Sequence, residues 1–559
     1  MSRANPGLRR MFLAAALAVA ALDVTGAFAA GKKKSKKPDE TAAAAPAAGA
    51  EQGSAVLDRA LKLYEGKEFE GASIELNKVI EGESGDSVAN KQKAEFFMGK
   101  TLYNMRFLNA SIAYFDRVVE AGAAHPYYSE TLKWLASLAT DMADPTPVVD
   151  RIGKYQRDEL EQPALESVRD QLYFLLGRSL YKKGEFAQAI ELYNAIPKTS
   201  KWYVRAKLFE GATHVREYRG KEASDAFKEV LRATVESDDE SVKPFEDLAY
   251  LSLARTFYST GQFALAAKYF DLVSMESYDW ANSLFESSWA NFMLRSSGYP
   301  KALGNIHTLG APYFENSVKP ESVAEAMTVK ATIYFYNCQY NKAADAITEF
   351  NEKFPQLAQD LNALAKSTDD NSEFYATAVK VLSGKSGQAK NIERAARAVL
   401  SDLSLKRKFD YVAQLDAELA LFEKADAAWK QTAIANLVYT DLTLQQSLTI
   451  NEAGELARQR VTRLVAELAG LIKRTIKIEY EILSGQKGTL TQELIEEQQV
   501  DKSVTAREVG NVRVDDEHEE WPFNGEYWRD ELGYYRVRLK NQCARNAPEG
   551  APTGPTEAL

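Results

Sequence analysis

Proline and glycine are scarce, with 17 Pro and 31 Gly in 559 residues. That suits helices better than many short strands, which need turn residues between them. Basic residues are not in excess. The formal charge is −10, which argues against a general nucleic-acid binder, because such domains carry a basic face. Beyond the first 30 residues no run is apolar enough to cross a membrane. The 4 histidines, His125, His214, His307 and His518, lack a metal-ligand spacing. Gly384-Lys385-Ser386 ends like a phosphate loop, but Val379 stands where that motif needs Gly, and no strand precedes it. The acidic run Asp515–Glu520 lacks the spaced ligands and turn glycine of a calcium loop and reads as solvated. No Ser–His–Asp set can be assembled. These absences point away from catalysis and call for no cofactor.

Aromatic residues are plentiful, with 27 Tyr and 25 Phe, so disorder cannot dominate. A chain this long exceeds one ordinary core and needs several domains or a repeat array. The stretch Leu176–Pro197, LGRSLYKKGEFAQAIELYNAIP, shows which. Gly177 and Ala189 are small, so two antiparallel helices can approach closely. Gly184 sits at the turn, and Phe186 and Tyr193 fill the space beside the small residues.

This spacing resembles the tetratricopeptide repeat and recurs along the chain. A first copy has Ala60, Leu63, Phe69, Ala72, Leu76 and Val79. A looser second has Gly99, Leu102, Phe107, Ala110 and Tyr114, with a turn that reads one residue short. Tyr127–Lys154 is helical but degenerate, broken by the turn Asp144–Pro147. The stretch just described is the third clear repeat. The fourth has Gly211, Ala223, Phe227 and Val230, with Gly220 in the aromatic place. The fifth has Ala254, Phe257, Gly261, Phe263, Ala266 and Phe270, and the sixth Ala290, Met293, Tyr299, Ala302 and Ile306. The seventh has Ala331, Tyr334, Tyr340, Ala343 and Ile347 and ends at Pro355, with Cys338 in the turn place. One hairpin cannot bury its apolar face alone, whereas stacked hairpins share a continuous core and leave a curved groove. The resemblance implies an all-α, right-handed α-solenoid over residues 56–355. It further implies that the first helix of each hairpin lines the groove. Arg178, Tyr181, Arg255, Tyr258, Asn291 and Phe335 are then the candidate partner-binding residues. Spaced Arg and Tyr suit an extended or helical acidic segment, or else simply decorate a surface helix.

The flanks differ in character. Arg3, Arg9 and Arg10, the apolar run Met11–Leu22 and the Ala27-Phe28-Ala29 site read as a signal peptide over 1–29. Residues 30–55 read as a flexible linker, and its basic run Lys32–Lys37 either touches anionic lipid or cell-wall polymer, or is only solvated. Residues 356–500 carry long helices, with Leu382–Ala389 as a loop. A heptad seam through Val461, Leu464, Leu468, Leu471, Thr475, Ile478 and Ile482 marks a helix from about Glu452 to Leu483 that Gly485 stops. Its expected partner is the 400–425 segment, with a dimeric coiled coil as the alternative. The tail, 501–559, is acidic and then dense in aromatics, and is expected to dock on the last helices or on a partner. Cys338 and Cys543 permit a disulfide that would pin this tail to the repeats; two separate buried thiols are the alternative.

The sixth and seventh repeats, ESSWANFMLRSSGYPKALGNIHTL and ATIYFYNCQYNKAADAITEF, resemble those of large periplasmic repeat proteins of myxobacteria. Some of these belong to gliding-motility or envelope-spanning machines. The resemblance implies a non-catalytic scaffold for other envelope proteins; a cell-wall or lipid-binding maintenance factor is the competing reading. N-terminal sequencing of the exported chain should begin at Ala30, and a chain still starting at Met1 would contradict the cleavage reading.

Overall fold

A computed structural model describes residues 53–237, 239–314, 318–496, 507–509, 514–515 and 519–543. The signal peptide, most of the linker with Lys32–Lys37, and His518 lie outside the described residues. The described chain is all-α, apart from one short antiparallel ribbon of β1 (Arg507–Val509) and β2 (Leu539–Asn541).

In chain order, α1 (Ala55–Glu65) packs on α2 (Phe69–Glu81), and α3 (Val88–Asn104) on α4 (Leu108–Ala121). Next come α5 (Tyr128–Asp141) and the short α6 (Thr146–Ile152), and then the pair α7 (Arg169–Lys183) and α8 (Phe186–Asn194). They are followed by α9 (Tyr203–Arg216) and α10 (Gly220–Val235). Further pairs are α11 (Pro244–Ser259) with α12 (Phe263–Phe270), α13 (Trp280–Met293) with α14 (Tyr299–Leu309), and α15 (Pro320–Tyr336) with α16 (Tyr340–Ala365). The remaining helices are α17 (Asn371–Leu382), α18 (Lys390–Leu400), α19 (Leu403–Lys424), α20 (Ala427–Lys430) and α21 (Ala433–Glu496).

One turn geometry joins five of these pairs. Lys67, Arg106, Gly184, Gly261 and Cys338 all take left-handed backbone angles, with φ of 63°, 69°, 85°, 77° and 55°. The residue after each donates its N–H back to the closing turn of the first helix, as Glu185 does to Leu180 and Gln339 to Tyr334, both at 2.9 Å. This closure satisfies carbonyls that a helix end would otherwise leave open. The second repeat's turn is not short: Arg106 holds the same place as Lys67, and Phe107 is the residue before the helix, so Leu108 takes the place that Phe69 has in the first copy. The small residues act as expected. A Cβ on Gly99 would lie 2.7 Å from the Phe115 ring, and one on Gly177 would lie 2.5 Å from the Tyr193 ring. Pro355 does not end its helix. Helix α16 passes through it because Phe350, Phe354, Leu357 and Leu361 keep one buried stripe, which offsets the hydrogen bond proline cannot donate.

The chain forms two compact units, and the division falls at residue 218 and again at 402 and 454. The first unit joins α1–α9 to α19, α20 and the first part of α21. Here the 400–425 segment does form a hairpin, but with residues 433–454 rather than with the seam. The Phe422 and Tyr439 rings lie 5.1 Å apart, and Lys408 pairs with Glu452 at 3.2 Å. Trp429, 1 % exposed, plugs this hairpin into the repeats. It stacks on Phe107 at 5.8 Å and donates its indole N–H to Ser73 Oγ at 2.9 Å. Beside it, Asn109 donates its backbone N–H to Glu418 (3.2 Å) and its side-chain amide to Asp441 (2.9 Å), while accepting from the Tyr411 hydroxyl (2.9 Å).

The second unit joins α10–α18 to the rest of α21 and the tail. The seam residues Val461, Leu464, Leu468, Leu471, Thr475 and Ile482 are buried in the single chain, so the seam is not left free for a dimer. Ile478 and Ile482 belong to the core that includes Ile333 and Tyr340. Gly485 does not stop the helix. It lets α21 press on α16, since a Cβ there would lie 2.5 Å from the Tyr340 ring. Gln486 then donates to Asn341 at 3.2 Å.

Burial pushes the Glu418 carboxyl up from 4.5 to about 7, and the hydrogen bonds from Gln414 and Asn109 only partly oppose it. A carboxyl raised on folding favours the fold while protonated, so its contribution fades as pH rises from about 4.5 through about 7. Glu418→Gln, which keeps an acceptor for Asn109, should flatten that pH dependence. It should also raise stability at pH 8 by about 1–3 kcal/mol, as read by urea unfolding.

Candidate interaction surface

The expected groove residues have distinct fates in the two units. In the first, Arg178 is buried with its guanidinium 5.5 Å from the Phe209 ring centre. Tyr181, half-buried, lies edge-on to Phe209 at 6.3 Å and beside Phe186 at 5.8 Å. Arg216, which the spacing did not single out, places its guanidinium 5.8 Å from both Tyr181 and Phe186. Two arginines and three aromatic rings from α7, α8 and α9 therefore share one patch.

In the second unit the corresponding residues are engaged internally. Arg255 forms a two-pronged ion pair with Glu286, at 2.7 and 2.6 Å, one hairpin further on. Burial acts to lower the Arg255 pKa, but the Glu286 carboxylate overrides it and the guanidinium is held charged. Tyr258 packs edge-on to Phe263 at 5.3 Å, and burial raises its hydroxyl pKa. Asn291 is buried and donates to the Ser287 carbonyl at 2.9 Å, so its amide serves its own helix. Phe335 sits against Tyr340 at 5.8 Å, in the core that Ile478 and Ile482 of α21 complete. Glu321 and Glu325 on α15 share their surroundings with Glu467 on α21. Burial, aided by that carboxylate, lifts Glu321 to about 7 and raises Glu325 as well.

The aromatic tail docks on its own chain, though on α14 and the α15–α16 turn rather than on the last helices. Its anchor is the disulfide between Cys338 and Cys543, which are 205 residues apart in sequence. His307 is enclosed by Phe523, Tyr527 and Tyr535, with ring centres at 4.4, 4.8 and 5.2 Å. Burial and the nearby Lys330 lower its pKa, so it is held neutral. The outward surface of the tail keeps Trp521, Phe523, Trp528 and Tyr534 exposed. Among the described residues no His, Cys, Asp and Glu group is arranged to hold a metal ion.

No protein-family model matches the chain. No curated protein matches it. Among solved structures, one that matches is the apo form of RapI, 12% identical, covering 64% of this chain and 97% of that chain at a TM-score of 0.28.

If Arg255 is a structural partner of Glu286 and not a docking residue, Arg255→Met should destabilise the chain by about 2 kcal/mol. Thermal unfolding would show this, while partner capture by the intact protein should be unchanged.

Proposed function

We propose that the chain is a non-catalytic scaffold, built as a tetratricopeptide-type right-handed solenoid, that binds other proteins of the bacterial envelope. In this reading it is exported to the periplasm and organises an envelope-spanning assembly, such as one for gliding motility. The observation that carries the binding reading is the exposed Arg216 guanidinium beside the half-buried rings of Tyr181 and Phe186, backed by the buried Arg178 and Phe209. Guanidinium and aromatic groups together recognise carboxylates and apolar side chains at once, and such residues dominate protein interfaces. An acidic peptide segment, extended or helical, is the partner class this patch suits. Export and the envelope setting rest on the N-terminal sequence and on the resemblance of the sixth and seventh repeats.

The test is crosslinking in intact cells, followed by purification of the mature protein and mass spectrometry of what accompanies it. A small set of envelope proteins at fixed ratio is expected, lost in the Tyr181→Ala/Arg216→Ala variant and retained when Lys32–Lys37 is deleted. Recovery of only wall fragments or lipid, abolished by that deletion and by salt, would move the assignment to the cell-wall reading.

A further inference from the structure

Residues 532–543 cross α14 and the α15–α16 turn in the manner of a bound peptide. Three main-chain N–H groups of the strap donate to the repeats: Gly533 to Thr308 Oγ1 at 3.2 Å, Val537 to the Pro300 carbonyl at 3.0 Å and Gln542 to the Asn337 carbonyl at 3.0 Å. Two strap carbonyls accept in return, that of Gly533 from Lys301 Nζ and that of Lys540 from Gln339 Nε2 at 2.5 Å. Leu532 and Leu539 are buried, at 3 % and 1 % exposure, and belong to the core cluster that also holds Trp280, Leu303 and Ile306. The floor is shaped for a main chain. A Cβ on Gly304 would lie 1.7 Å from the Tyr535 carbonyl oxygen, so only glycine admits the strap there. Backbone hydrogen bonds with alternate side chains in pockets are how receptors hold extended peptides.

We infer that this face of α14 is a binding site for an extended segment, and that its occupant can be the same strap from a second copy of the chain. The Cys338–Cys543 bridge then selects between the two. The sequence known to fit the site is residues 532–543 itself. A strap from a neighbour makes the same contacts, so exchange differs from self-docking chiefly in effective concentration. With the bridge closed within one chain the strap cannot leave. A dithiol reductant opens it, forming two cysteine thiols while the dithiol becomes a disulfide. Oxidised glutathione can then accept two electrons from Cys338 of one copy and Cys543 of another. This yields an intermolecular disulfide and two glutathione thiols.

Two full-length variants test this directly. Cys338→Ser and Cys543→Ser each lack an internal bridge, but a 1:1 mixture can close one between copies if straps exchange. Mixed in a glutathione redox buffer, they should give a covalent dimer on a non-reducing gel, collapsed by dithiothreitol. Peptide mapping should join the Cys338 and Cys543 peptides. Adding Gly304→Leu to the Cys543→Ser partner should cut the dimer yield at least tenfold while helicity by circular dichroism is unchanged. No mixed dimer, or a yield indifferent to Gly304→Leu, would overturn the inference, the latter because it would mark chance collision rather than docking.

Discussion

A hairpin of two short helices has an apolar face that it cannot hide by itself. In this chain the requirement shapes nearly every contact. Within a hairpin, small residues such as Gly99 and Gly177 admit an aromatic ring against the opposite helix. Between hairpins, each second helix packs on the next first helix, as α2 does on α3 and α12 on α13. What the stacking leaves uncovered is closed by segments from elsewhere in the sequence. Trp429 and the α19–α21 hairpin do this in the first unit, and the heptad seam and the disulfide-bound tail do it in the second.

The covering segments are fixed by polar contacts of exact partner choice rather than by apolar area alone. Apolar surfaces slide, whereas Asn109 can meet Glu418, Asp441 and Tyr411 in one register only. Buried polar groups of this kind add little net stability, because desolvation offsets much of what they gain. Leaving one unpaired is costly, so they set position. The Arg255–Glu286 pair works the same way between neighbouring hairpins. It also shows how an arginine expected to meet a partner can instead be held by its own chain.

The parts legible in the sequence were those set by local geometry. Small residues at close contacts, the turn at Gly184 and the one at Cys338 follow from spacing alone, since backbone angle and side-chain volume are local demands. Arg106 was harder, because a left-handed turn filled by a long side chain carries no compositional mark and Phe107 beside it mimics the aromatic that opens the second helix. The heptad pattern showed that Val461–Ile482 has an apolar face, but an apolar face does not name its cover, and the 400–425 segment proved to pair with an earlier stretch of α21. Gly485 misled for a related reason: glycine marks a helix end and a close approach equally well, and here it serves the approach to Tyr340. The docking place of the tail depended on Gly304, a helical glycine whose purpose appears only when another backbone lies on it.

The chain covers its own repeat faces. Hydrogen exchange measured by mass spectrometry on the full-length protein, across a wide range of protein concentration, tests this most directly. Peptides spanning 461–482 should exchange as slowly as those of α15 and should do so at every concentration. Fast exchange at every concentration would mean the seam is uncovered, and protection that develops only as concentration rises would mean another molecule covers it; either result contradicts self-covering.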